Sequence, residues 1–125
     1  MNIQQALDKV DAMLPNFMDR RLKIHFLSEI DQLIHQEIIM KHEHTPEQET
    51  MPAYTEATDE GTDLLIPDPY SALYPYYVIK KIDEQNLEFE KFNQHNALFE
   101  SYYDTMCDWY TRTHMPLTAL RFFRL

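Results

Sequence analysis

Residues 99–113, FESYYDTMCDWYTRT, decide the architecture. Phe99, Tyr102, Met106, Trp109 and Thr113 step by three, four, three and four, the spacing that aligns side chains on one face of an α-helix. Tyr103, Cys107 and Tyr110 flank that stripe. The pattern predicts a helix over 95–113, stopped ahead of Pro116. Just before it, FNQHNALF offers Asn93 and Asn96 and predicts a tight helix-to-helix turn, the rival being one helix running to 113.

Further back, Val78, Ile82, Phe89 and Phe92 mark a third helical face over 69–92. Asp68 and Pro69 make a suitable N-cap and first-turn pair. Pro75 lies too deep for that first turn, so the helix either kinks there or begins in earnest there after one separate turn. At the start of the chain, Ile3, Leu7, Val10 and Leu14 give a short amphipathic helix over 2–14, ended by Pro15. Leu22, Phe26, Ile30, Leu33 and Ile34 give a second over 18–41, with a stripe wide enough for burial on two sides.

Residues 42–63, HEHTPEQETMPAYTEATDEGTD, break this pattern, with seven carboxylates, no lysine or arginine, two prolines and no helical period. They read as a solvated loop or a projecting β-hairpin, an excursion over 42–66 that leaves the bundle core untouched. The expectation is one domain over 1–125: an all-α antiparallel bundle of about four helices, with an acidic excursion and an extended tail over 115–125.

Composition narrows the rest. Gly61 is the single glycine, which argues against small barrels and sandwiches and removes glycine-rich phosphate loops. Thirteen of the sixteen aromatic residues lie from Tyr70 onward, so the C-terminal half must be packed. Cys107 stands alone and cannot form an internal disulfide. The N-terminus lacks an apolar signal core and no run reaches membrane-spanning length, so a cytosolic product without a membrane partner is expected. With 21 acidic and 11 basic side chains and a net charge of −10, the chain should repel nucleic acid.

Catalytic patterns are thin. His42-Glu43-His44 with Glu47 has the wrong spacing for a helical zinc motif. Asp83–Glu84 and Glu88–Glu90 read as solvated faces, and no Glu-x-x-His pair supports a di-metal bundle. Cys107 sits near a helix C-terminus, and His114 beyond it is thin evidence for an activating partner. No enzyme, cofactor or metal is expected. Tyr74, Tyr76 and Tyr77 crowd one turn and cannot all face one core, so with Tyr70 they are candidates for a subunit interface.

The stretches IQQALDKVDAMLPN, LLIPDPYSALYPYYVIKKID, FEKFNQHNALFESYYDTMCDWYTRTHMP and RFFRL, in that order, resemble the small head–tail connector (adaptor) proteins of tailed bacteriophages. The likeness covers most of the chain outside the acidic excursion, with Pro75 as its departure. It implies a virion structural protein at the head–tail interface, found in the host cytoplasm before assembly. It further implies a ring, twelve-fold in such families, bound beneath the portal protein and carrying tail or stopper proteins, with DNA passing through unbound. An acidic lumen suits such a conduit. The alternative from another class is an acidic helical inhibitor that mimics DNA and blocks a host nuclease; a metal-dependent hydrolase is a weaker third.

The tail carries the sharpest expectation. Pro116 stops the helix, so Leu120, Arg121, Phe122, Phe123, Arg124 and Leu125 are read as a docking arm with arginines and aromatic anchors on both of its sides, the rival being a tail folded onto its own bundle.

Overall fold

The computed structural model describes residues 1–118. Among them are four α-helices: α1 (Ile3–Met13), α2 (Arg20–Glu37), α3 (Leu73–Gln85) and α4 (Phe89–Thr113). Short 3-10 turns cover Ile39–Lys41, Pro46–Glu49 and Tyr70–Ala72, and no strand forms among the described residues. The all-α helical bundle expected from the periodicity is the fold.

Each helix starts and stops for a local reason. Asn2 accepts from the Gln5 backbone while the Gln5 side chain accepts from the Asn2 N–H, a reciprocal cap at the head of α1. The Asp19 side chain accepts from the Arg21 N–H and opens α2. In α3, Pro75 is the third helical residue, where its missing N–H has no intrahelical partner to lose. The separate turn anticipated before it is Tyr70–Ala72.

The boundary between α3 and α4 corrects the sequence reading. The chain turns at Asn86-Leu87-Glu88, not at Asn93–Asn96, so the third helix ends at Gln85 and the fourth begins at Phe89. Glu88 N–H donates to Asp83 C=O, and Leu87 N–H to Glu84 C=O. That pair of bonds is a Schellman closure, which needs a left-handed residue at its centre. Leu87 supplies it, at φ +56°. A leucine there gives no sequence signal, because glycine or asparagine is the usual occupant.

The turn sends α4 back along α3. Cross-helix pairs run Tyr70–Trp109, Tyr76–Tyr102, Tyr77–Phe99 and Asp83–His95, so partners descend on one helix as they rise on the other. The two are antiparallel. Helix α3 is the centre of the molecule and packs on all three other helices. Leu73, Tyr74, Val78, Ile79 and Ile82 are fully buried there, against Ile3, Ala6 and Val10 of α1 and Leu27, Ile30 and Ile34 of α2. Each such side chain stabilises the fold by about 1.5–3 kcal/mol.

Residues 42–66 do not project. They form a strap lying across α1 and α2. Thr62 C=O accepts from Ile3 N–H and Glu60 C=O from Gln4 N–H, satisfying two donors that the first turn of α1 leaves open. Gln32 donates to Met51 C=O, and Tyr54 N–H donates to the Ser28 hydroxyl. Tyr54, Leu64 and Ile66 are buried in the core. Two acids of the strap meet the start of α2, where Arg20 pairs with Glu60 at 3.4 Å and Arg21 with Glu56 at 3.3 Å. A segment with no helical period belongs to the core because it inserts single side chains, not a stripe.

At the C-terminal end, Pro116 pairs with His42 as an isolated bridge, and Leu117 and Thr118 turn helical. The expected docking arm, Leu120 to Leu125, lies outside the described residues.

Candidate functional site

The tyrosines divide. Tyr74 is fully buried, and Tyr77 is buried against Phe99. Neither offers surface to a neighbour, which corrects their assignment as interface candidates. Tyr70 and Tyr76 keep partial exposure and stack on Trp109 and Tyr102 of α4, with ring centroids 4.6 and 5.3 Å apart. Tyr76 and Tyr102, with Met13, Pro75 and Lys9, line a shallow concavity of about 290 Å³.

Tyr74 is buried because a carboxylate waits for it. Its hydroxyl donates to Asp31 Oδ1 at 2.6 Å and accepts from Ile66 N–H at 2.9 Å. Asp31 Oδ2 accepts from the Tyr54 hydroxyl at 2.6 Å and from Leu65 N–H at 3.1 Å. Asp31 is fully enclosed. Burial pushes its acidity toward higher pH, and the bonds from Tyr54, Tyr74 and Leu65 oppose that shift. Burial beside this carboxylate drives both tyrosine hydroxyls far above their ordinary range. The cluster fastens α2, α3 and the strap together. The sequence signal was there: Asp31 sits on the stripe of Leu27 and Ile34, where an apolar residue belongs.

A second buried carboxylate lies at the other end of α3. Asp83 is 1% exposed. Its Oδ2 takes a hydrogen bond from His95 Nδ1 at 2.5 Å, while its Oδ1 finds no partner among the described residues. Asp83 helps line an open concavity of about 400 Å³, where the α1–α2 connection meets the α3–α4 turn. Asn16, Phe17, Met18, Glu88 and Lys91 complete its wall. Phe17 stands fully in solvent at 108% relative exposure, with Leu87 at 71% and Phe89 at 63%. Leu98 and Tyr102, one turn apart, form a second exposed apolar stripe on α4. Leu98 lies nine residues beyond Phe89, about 180° around the helix, so the two patches flank the buried face from opposite sides.

The residues weighed for chemistry are tied into the fold. His42 Nδ1 contacts Ile38 C=O and His44 Nδ1 contacts His42 C=O, each at 2.7 Å. Among the described residues no three His, Cys, Asp or Glu side chains gather as metal ligands. Burial and the nearby Asp104 and Asp108 push the Cys107 thiol up, away from thiolate. Phe17 and Leu87 went unrecognised in the sequence, and Asp83, read there as part of a solvated face, is instead buried, since exposure and pairing across the bundle leave no periodic trace.

Comparison of the chain with family models, with curated proteins and with solved structures finds no match. No helix among the described residues is long and apolar enough to cross a membrane.

Proposed function

We propose that the protein is a structural head–tail connector that assembles into a ring beneath a phage portal and lines the DNA channel. The observation that carries the reading is the pair of unlike apolar patches on opposite flanks of α4. A subunit that joins its neighbours through two different surfaces makes a head-to-tail contact, and such contacts form a ring when the rotation between neighbours closes. A two-fold dimer would use one patch twice.

Charge supports the same reading. The chain carries a net charge of −10, and Arg20, Arg21, Lys23, Lys41, Lys81 and Lys91 each lie beside a carboxylate. That surface repels a phosphate backbone, as a channel through which DNA slides requires. The strap is compact and its acids Glu56 and Glu60 are engaged by arginines, an arrangement unlike the open row of carboxylates that DNA mimicry demands.

The test is sedimentation of the purified chain with portal rings from the same genome. Co-migration that is lost in a Leu98→Asp, Tyr102→Asp variant supports the reading. Failure to co-migrate, or tight binding to a host nuclease instead, overturns it.

A further inference from the structure

We propose that the concavity walled by Asp83, Phe17 and Glu88 is the receptor for the Arg121–Arg124 segment of a neighbouring copy. This rests on the connector reading and names the contact that would link one subunit to the next.

Three features of the concavity define its guest. Asp83 Oδ1 is buried and lacks a donor among the described residues, and an unpaired oxygen of that kind is costly until a donor arrives. A guanidinium supplies several donors in a rigid fork. Phe17 lines the concavity with bare apolar surface, and exposed Leu87 and Phe89 flank its lining residue Glu88 in the chain, so the guest should carry aromatic or aliphatic groups beside its cation. Leu87 holds a left-handed conformation that glycine or asparagine would adopt with less strain, yet projects a large apolar side chain into solvent. Lys91 is the one cation in the wall, and Glu88 lies 3.2 Å from it.

Arg121-Phe122-Phe123-Arg124 matches that demand within this chain. Geometry assigns it to another copy. Glu88, at the concavity, and Pro116 lie beyond opposite ends of α4. The 25 residues of α4 are about 37 Å long. Arg121 and Arg124 are five and eight residues past Pro116, backbone reaches of at most about 18 and 29 Å. A segment of that reach falls short of the concavity on its own subunit, so we seat it in the one on the next. Repeated around a circle, the contact is head-to-tail.

The test uses a fluorescent peptide of residues 117–125, LTALRFFRL, titrated into the full chain and followed by anisotropy. Saturable binding is expected. It should weaken roughly tenfold or more in Phe17→Ser and in Leu87→Gly, and similarly when Arg121→Gln and Phe122→Ser are placed in the peptide. Both protein variants alter exposed side chains, and unchanged circular dichroism verifies that they fold. No binding, or equal binding by the variants, overturns the proposal. A peptide that binds portal rings but not this chain also overturns it, while leaving the connector reading standing. A chain that takes the peptide at this concavity but never joins a portal ring upholds the receptor and refutes the connector.

Discussion

The Tyr74 hydroxyl donates to Asp31 Oδ1 at 2.6 Å, joining residues 43 positions apart in the enclosed centre of the protein. Through the same carboxylate, Tyr54 and Leu65 attach the strap to α2. One acidic side chain thus sets where three segments meet, and its removal leaves donors from all of its partners without an acceptor.

Asp31→Ala should therefore destabilise the protein by about 3 kcal/mol or more, because two hydroxyls and a backbone N–H lose their acceptor together. Tyr74→Phe should cost about 1–3 kcal/mol, since it also strands Ile66 N–H. Urea unfolding measures both. A loss below about 0.5 kcal/mol for Asp31→Ala would mean that water replaces the tyrosines easily.

The same carboxylate gives a pH signature. Burial raises its folded-state pKa above the ordinary value of 3.8. Protonation then favours the folded state, and its stabilising contribution is complete below the unfolded value and lost as pH rises through the folded one. The stability of the wild type minus that of Asp31→Asn should grow as pH falls from 7 toward 4, with the exposed carboxylates cancelling in the difference. A difference that is flat or shrinks on acidification contradicts this assignment.

The strap should prove structural. Replacing residues 42–63 by a Gly-Ser linker removes buried Tyr54 and the acceptors for Ile3 and Gln4, so a large fall in thermal stability is expected. Tyr54→Ala alone should cost about 3–5 kcal/mol. A linker variant that melts at the wild-type temperature would return the strap to the status of a dispensable loop.

At the α3–α4 turn the expected sign is opposite. Leu87→Gly relieves a left-handed leucine, so stability should hold or rise by up to about 1 kcal/mol. A loss of more than about 1 kcal/mol would show that Leu87 packs on its own bundle.

These residues also show what was legible beforehand. The stripes of Ile3–Val10 and Phe99–Tyr110 announced their helices, because a repeating apolar face is a local property of sequence. The α3–α4 boundary was misplaced because Leu87 occupies a position that glycine usually marks. The strap was read as an excursion because Tyr54 and Leu64 enter the core singly, without a period. Tyr74 was assigned to the surface because its partner, Asp31, lies far away in sequence and looks like an exposed acid. Of the site, the basic-aromatic character of the tail was visible in Arg121–Arg124, but the concavity proposed to receive it was not. It forms only when the turn near Phe17 meets the turn near Leu87.

The central claim is that this chain forms a ring on a portal through two unlike surfaces. The most direct measurement is the native mass of the complex formed when the chain is expressed with the portal protein of its own genome. The account predicts one defined assembly with as many copies of the chain as of the portal subunit, twelve each for a twelve-fold portal, and its loss in Phe17→Ser combined with Leu98→Asp. A chain that stays monomeric beside intact portal rings, or a genome with no portal gene, would contradict it.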